Sequence, residues 1–251
     1  MRHALLVVFI AATAVAADKP IVVLVSANAE WKPVLERHAG VTVQQTPYGE
    51  WFTAEVGKGA KKRSVIYMHG GFGKVQAAGS TQYAIDQWHP ALMVNIGTCG
   101  GFEGGVSAGD VVLVEKTIIY DLIEQMGDSQ ETIDFYSSAL DTKFAGDKLP
   151  KGFRRGMLLS ADRDIVAADV PALKKRFKGI AADWESGAIA FVARHNQTPL
   201  FILREVSDVV HSDGGDAFYN NEAAWEAGAK KTMNHLVDVL PEWLEKWDQK
   251  K

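Results

Sequence analysis

Leu92-Met93-Val94-Asn95-Ile96-Gly97-Thr98-Cys99-Gly100-Gly101 opens as an almost unbroken apolar run and closes in glycine. Continuous rather than alternating hydrophobicity marks a strand covered on both faces, here over Leu92–Gly97. The glycines that follow read as a tight turn whose backbone N–H groups can approach a ligand closely. Working outward, similar runs closed by Gly, Ser, Asp or Asn stand at Ile21–Val25, Ser64–His69, Asp110–Ile119, Gly156–Ala161, Gly179–Asp183 and Leu200–Val206. Helix-like stretches lie between or after them, at Lys74–Trp88, Val170–Phe177, Ser186–Asn196 and Glu222–Lys246. Strand and helix alternate to the end of the chain. That order predicts an α/β fold with a mainly parallel, twisted central sheet flanked by helices. No repeat, linker or shift in composition marks a second domain, and Gln125–Pro150 reads as a polar surface excursion.

The 251 residues suffice to bury one substantial core. A net charge of −4 gives no support for nucleic acid as a partner. The basic run Lys58, Lys61, Lys62 and Arg63 reads as a solvated turn. Cys99 is the single cysteine, so no intrachain disulfide can form, and no Cys/His cluster has metal-ligand spacing. Neither a metal nor another cofactor is expected.

Residues 1–17 have the layout of an export signal. Arg2 and His3 precede the apolar Ala4–Ala16, Ala14-Val15-Ala16 offers a small-x-small cleavage site, and Asp18, Lys19 and Pro20 follow. The competing reading is a first buried strand or helix. The apolar run is shorter than the roughly 20 residues a membrane span needs. The expected mature protein is therefore residues 18–251, periplasmic or secreted, with no membrane association.

Three acids stand where apolar strands run out: Glu30, Glu185 and Asp208. In doubly wound sheets ligands bind beyond the strand C-termini, so acids gathered there are candidates for one shared site. Each also has a bland reading as a helix or turn cap. Two glycine-rich segments, Gly70-Gly71-Phe72-Gly73-Lys74 and Gly97–Gly101, follow strands. The first lacks the third glycine of a dinucleotide fingerprint, and no phosphate-loop pattern occurs.

Taken in order, these segments resemble a known family. Val94-Asn95-Ile96-Gly97-Thr98-Cys99-Gly100-Gly101, followed by Gly109-Asp110-Val111-Val112, is similar to the "N-x-G-S/T-A/C-G-G … G-D-V-V" signature of purine nucleoside phosphorylases and nucleosidases. Gly71-Phe72-Gly73-Lys74-Val75-Gln76-Ala77-Ala78 resembles "G-x-G-K-V-x-A-A". Asp183-Trp184-Glu185-Ser186-Gly187-Ala188 resembles "x-M-E-x-x-A", and Arg204-Glu205-Val206-Ser207-Asp208 resembles "R-x-x-S/T-D". Ala27-Asn28-Ala29-Glu30 looks like the "M-x-x-E" of the hydrolytic branch, closest to 5′-methylthioadenosine/S-adenosylhomocysteine nucleosidases.

The resemblance implies a nucleoside phosphorylase-like fold and cleavage of a purine nucleoside's N-ribosyl bond. Asp208 would protonate the departing base at N7 with Ser207 holding its carboxyl. Glu185 would bind the ribose hydroxyls, and Glu30 would take a proton from the attacking water. An acid and a base flanking a scissile glycosidic bond is the logic of inverting glycoside hydrolysis. Thr98 and Gly100 would line the pocket, and the backbone of Ile165 would meet the base. Phosphorylases of the family hold phosphate with arginines. Here Asn95 stands at one such position and Ser26–Pro33 contains no arginine, which favours water as nucleophile. A phosphate-dependent phosphorylase and a non-catalytic nucleoside-binding or storage protein are the alternatives. Family nucleosidases are homodimers, so a dimer is expected, with Phe102 and the Gly127–Tyr136 region near the contact.

Two positions depart from the family. Trp184 replaces a methionine beside the ribose, and it either faces the pocket or packs in the core. In Ser160-Ala161-Asp162-Arg163-Asp164-Ile165 the aromatic that stacks on the base has become Asp164. Asp164 either accepts a hydrogen bond from an exocyclic amine or pairs with Arg163. Phe72, Phe102, Phe218 and Tyr219 are the candidates for a replacement ring.

Overall fold

The computed structural model describes residues 19–212 and 221–249. The expected export signal at residues 1–17, and with it Phe218 and Tyr219, lies outside the described residues. Strands β1 (Ile21–Val25), β4 (Arg63–His69), β5 (Leu92–Phe102) and β10 (Leu200–Val210) form one parallel block. Strands β6 (Val111–Ile119), β8 (Phe153–Ser160) and β9 (Gly179–Asp183) form a second parallel block. Between them run α1 (Asn28–Arg37), α2 (Gly73–Trp88), α4 (Val170–Phe177), α5 (Ser186–His195) and, last, α6 (Glu222–Asp248).

The expectation of a mainly parallel sheet holds only within each block. The blocks meet through two antiparallel seams, β10 with β6 and β5 with β9. The ring β5-β10-β6-β8-β9 thereby closes into a barrel, and β1, β4, β3 (Glu50–Val56) and β2 (Gln44–Gln45) extend the sheet from β5. β3 and β2 are again antiparallel. Hydrophobic runs report burial on both faces; they carry no record of strand direction.

The supposed turn at Gly97–Gly101 is strand. Extended β5 uses its first half to pair with β1 and its second half, at Gly100 and Gly101, to pair with β9. None of Gly97, Gly100 or Gly101 has a positive φ, so turn geometry does not require them. They make room instead. A Cβ at Gly97 would lie 2.8 Å from Glu30 Oε1, one at Gly100 2.5 Å from Ile165 Cδ1, and one at Gly101 2.6 Å from Val106.

α6 lays Met233, Leu236, Leu240, Trp243 and Leu244 against the β1/β5/β10 face. α2 and α5 cover the opposite face through Ala77, Ala84, Ile85, Ile189, Ala190 and Ala193. The polar stretch 125–150 is more ordered than its composition implies, holding α3 (Ser129–Tyr136) and β7 (Ser138–Ala139). Asp128 caps α3 by accepting from Gln130 N.

Candidate active site

The two blocks leave a cavity of about 650 Å³ where they meet. Glu30 and Asp208 reach it from the C-terminal ends of the first block, one just after β1 and the other on β10. Glu185 follows β9 and comes from the second block, so the site sits at a seam rather than along one edge. Thr98, Gly100, Asp164, Ile165, Trp184 and Ser207 line the same cavity.

Glu30 is buried in the first turn of α1. Its Oε2 accepts from Ala27 N at 3.2 Å, which satisfies the bland expectation of a cap. Its Oε1 accepts from both Thr98 N (2.6 Å) and Thr98 Oγ1 (2.8 Å). One carboxylate thus ties the start of α1 to the middle of β5.

Asp208 owes its aim to an irregularity. The β10/β5 register shifts between Val206 and Asp208, leaving Ser207 as the extra residue of a bulge. Bulges re-aim side chains beside active sites. The Ser207 hydroxyl lies 2.5 Å from Asp208 Oδ1 and 3.3 Å from the Cys99 carbonyl oxygen. Asp208 therefore sits within strand β10.

Glu185 precedes the first turn of α5 but does not cap that helix with its side chain. Its Oε1 accepts from Gly73 N at 3.1 Å, across the seam at the start of α2. Burial, reinforced by the nearby charges of Asp183 and Glu30, pushes the Glu185 carboxyl up to about 8 against the pull of Arg204.

Sequence reasoning missed Arg204 as a site residue. Its guanidinium is 1% exposed and lies 3.6 Å from Glu30, 3.1 Å from Asp183 and 3.7 Å from Glu185. It donates to Ser186 Oγ, Thr98 O and Asn95 Oδ1 at 3.0–3.1 Å. Asp183 in turn accepts from Ser160 Oγ and Ser186 N. The signal was available: a charged pair, Arg204-Glu205, inside an apolar strand demands buried partners. Glu205 points the other way, to His235 Nδ1 on α6 at 2.6 Å.

Asn95, at the family's arginine position, is buried and engaged. It donates to Leu24 O and accepts from Ser186 and Arg204. Of the described arginines lining the cavity, Arg204 is saturated by these partners and Arg163 pairs with Asp169 at 3.4 Å. The alternative pairing of Arg163 with Asp164 is not found, and Asp164 stands exposed at the mouth.

Trp184 faces the cavity and packs on Phe72, ring centroids 4.5 Å apart. Trp225 of α6 is a further lining ring that sequence reasoning missed. Phe102 is fully buried among Ile118, Leu159 and Val210, so it neither lines the cavity nor offers a surface to a second copy.

Residues 20–241 match the family model described as the phosphorylase superfamily. A 5′-methylthioadenosine/S-adenosylhomocysteine nucleosidase of Buchnera aphidicola (Acyrthosiphon pisum, strain APS) is 30% identical over 159 residues, 59% of this chain and 68% of that protein. The corresponding nucleosidase of Maridesulfovibrio salexigens is 26% identical over 68% of this chain and 79% of its own. Two solved structures share the fold. The Streptococcus pneumoniae nucleosidase with a transition-state inhibitor has a TM-score of 0.72 at 18% identity, covering 91% of this chain and 99% of its own. A futalosine hydrolase mutant of Helicobacter pylori has a TM-score of 0.70 at 15% identity, covering 91% and 99%.

Proposed function

Because the chain belongs to the phosphorylase superfamily, we propose that it is a hydrolase that cleaves the N-ribosyl bond of a purine nucleoside of the 5′-methylthioadenosine/S-adenosylhomocysteine type. The observation that carries this reading is the convergence of Glu30, Glu185 and Asp208 on one cavity. Bond cleavage develops positive charge on ribose and negative charge on the base. In this reading Asp208, whose carboxyl Ser207 holds, gives the base a proton. Glu185 takes the ribose hydroxyls and, ionised, stabilises the sugar cation. Glu30, fixed by three donors, accepts the proton of the incoming water.

Water is favoured over phosphate by electrostatics. The lining arginines of the described residues are already paired, so a dianion entering beside Glu30 would meet no uncommitted guanidinium. A nucleoside panel assayed for free base with and without phosphate tests the reading. Phosphate-independent release is expected, with the unphosphorylated sugar, its 5′ substituent retained, as the second product. Strict phosphate dependence would make the protein a phosphorylase, and binding without release would make it a binding protein.

The reading extends to an exported homodimer. The layout of residues 1–17 supports export, and a mature N-terminus near Asp18 in the extracytoplasmic fraction is the expected finding. Phe72, Val75, Ile123 and Met126 are exposed apolar side chains on two segments joined by the Lys74–Asp121 ion pair. A second copy seated there would cover the cavity mouth at Phe72. Light scattering at micromolar concentration distinguishes dimer from monomer.

A further inference from the structure

Helix α2 begins without a side-chain cap of its own: Phe72 is its N-cap residue. Its first backbone donors are met instead by carboxylates from the second block. Gly73 N donates to Glu185, which follows β9, and Lys74 N donates to Asp162 Oδ1, which follows β8, at 2.7 Å. The Lys74 ammonium then bonds Asp121, which follows β6, and lies 3.8 Å from Asp162 Oδ2. Asp162 N closes the group by donating to Asp121 Oδ2 at 3.0 Å. Three neighbouring strands thus each send one carboxylate to the first turn of a helix that belongs to the other block. Lys74 and Asp121 are both largely buried.

We propose that Lys74 is a positioning residue for the reaction: by gripping Asp121 and Asp162 it fixes the start of α2 so that the Gly73 N–H stays on the Glu185 carboxylate. This rests on the reading of Glu185 as the group that binds ribose. A backbone donor at a helix N-terminus favours the ionised carboxylate. The other groups facing Glu185 are Arg204 of β10, which also favours ionisation, and Asp183 of β9 and Glu30 of α1, which oppose it. Gly73 has a φ of +81°, and a Cβ there would stand 3.2 Å from Asp162 Oδ1, so the turn admits little rearrangement.

Two variants separate positioning from bulk charge. Lys74→Met removes a positive charge and the grip together, so both effects raise the pH at which Glu185 ionises. Asp121→Asn removes a negative charge, which by charge alone lowers that pH, while loss of the grip raises it. Two readouts are followed, the acid limb of kcat/KM for base release and the ¹³C carboxyl titration of Glu185, identified by its disappearance in Glu185→Gln. In both variants the limb and the titration are expected to move upward by about one pH unit, about a tenfold loss on the rising limb. Lys74→Arg should restore most of it. A folded Asp121→Asn protein whose Glu185 titration is unmoved or moves downward would overturn the proposal. If Lys74→Met does not fold, Asp121→Asn alone decides. If the wild-type protein releases no base from any nucleoside, the hydrolase reading fails, and the carboxyl titration still tests the grip.

Discussion

The Ser207 hydroxyl lies 2.5 Å from Asp208 Oδ1 at the single register shift between β10 and β5. A carboxyl aimed by a bulge and held by its neighbour is one whose replacement alters chemistry more than folding. Asp208→Asn keeps the shape and removes the titratable proton. Base release is expected to fall by about 10²–10⁴-fold while the thermal transition stays near that of wild type. Near-normal turnover would move the general acid to another residue.

Glu185 makes the site sensitive to pH. Burial pushes its carboxyl up to about 8, so if the ionised form binds ribose, the acid limb of kcat/KM should rise with pH through about 8. Stability has the opposite sign. The folded value lies above the ordinary 4.5, so the unfolded chain releases this proton first as pH rises. Below about 4.5 the group costs nothing; from there to about 8 it progressively destabilises the fold. Glu185→Gln is therefore expected to be inactive yet more stable than wild type, by a margin growing across that window. Paired denaturation curves at pH 5 and pH 8 check this, and an unchanging margin would count against it.

Gly97 is required by what crowds it. A Cβ there would press on Glu30 and Arg204, both buried and neither free to move. Gly97→Ala should cost about 1–3 kcal/mol, the range for overpacking a filled interior. It should also lower activity disproportionately, because the strain falls on Glu30, the proposed general base. Chemical denaturation and turnover on the same preparation give both numbers.

Trp184 and Asp164 should set the choice of substrate. Trp184 walls the cavity with Phe72, and Asp164 stands at its mouth. Trp184→Met with Asp164→Phe is expected to shift preference toward methylthioadenosine by roughly 10–200-fold in relative kcat/KM. An unchanged ranking across the nucleoside panel would show both residues to be structural.

The limits of each segment were largely legible. Ile21–Val25, Gly179–Asp183 and Val170–Phe177 have the boundaries their apolar runs predict. β3 was not, because Glu50–Val56 mixes charged and aromatic residues as an antiparallel strand beside β4 can. The closure of the barrel was not either, since direction leaves no trace in hydrophobicity. Within the site, acids at the ends of apolar runs announced Glu30, Glu185 and Asp208. Arg204 announced itself only as a charge that needs buried partners; which residues those are, Glu30 and Asp183 among them, is set by the fold and is not marked in the sequence. Gly97–Gly101 was misread because glycine serves both turns and tight packing, and only the neighbours distinguish them.

A ring of strands has no first or last member. Following β5-β10-β6-β8-β9 back to β5, the path of backbone pairing closes, and among the described residues the sheet has its borders at β7, which pairs β6, and at β2 with the part of β3 that β2 leaves uncovered. Strand β2 is two exposed glutamines long. Unpaired strand borders are where one chain recruits another into intermolecular β-structure, and the usual protection is to keep them short and polar. Here β2 and β7 are two residues each, and the β3 border that β2 leaves uncovered carries the charged Glu55, so the closure that makes the site also confines unpaired backbone to short or charged segments.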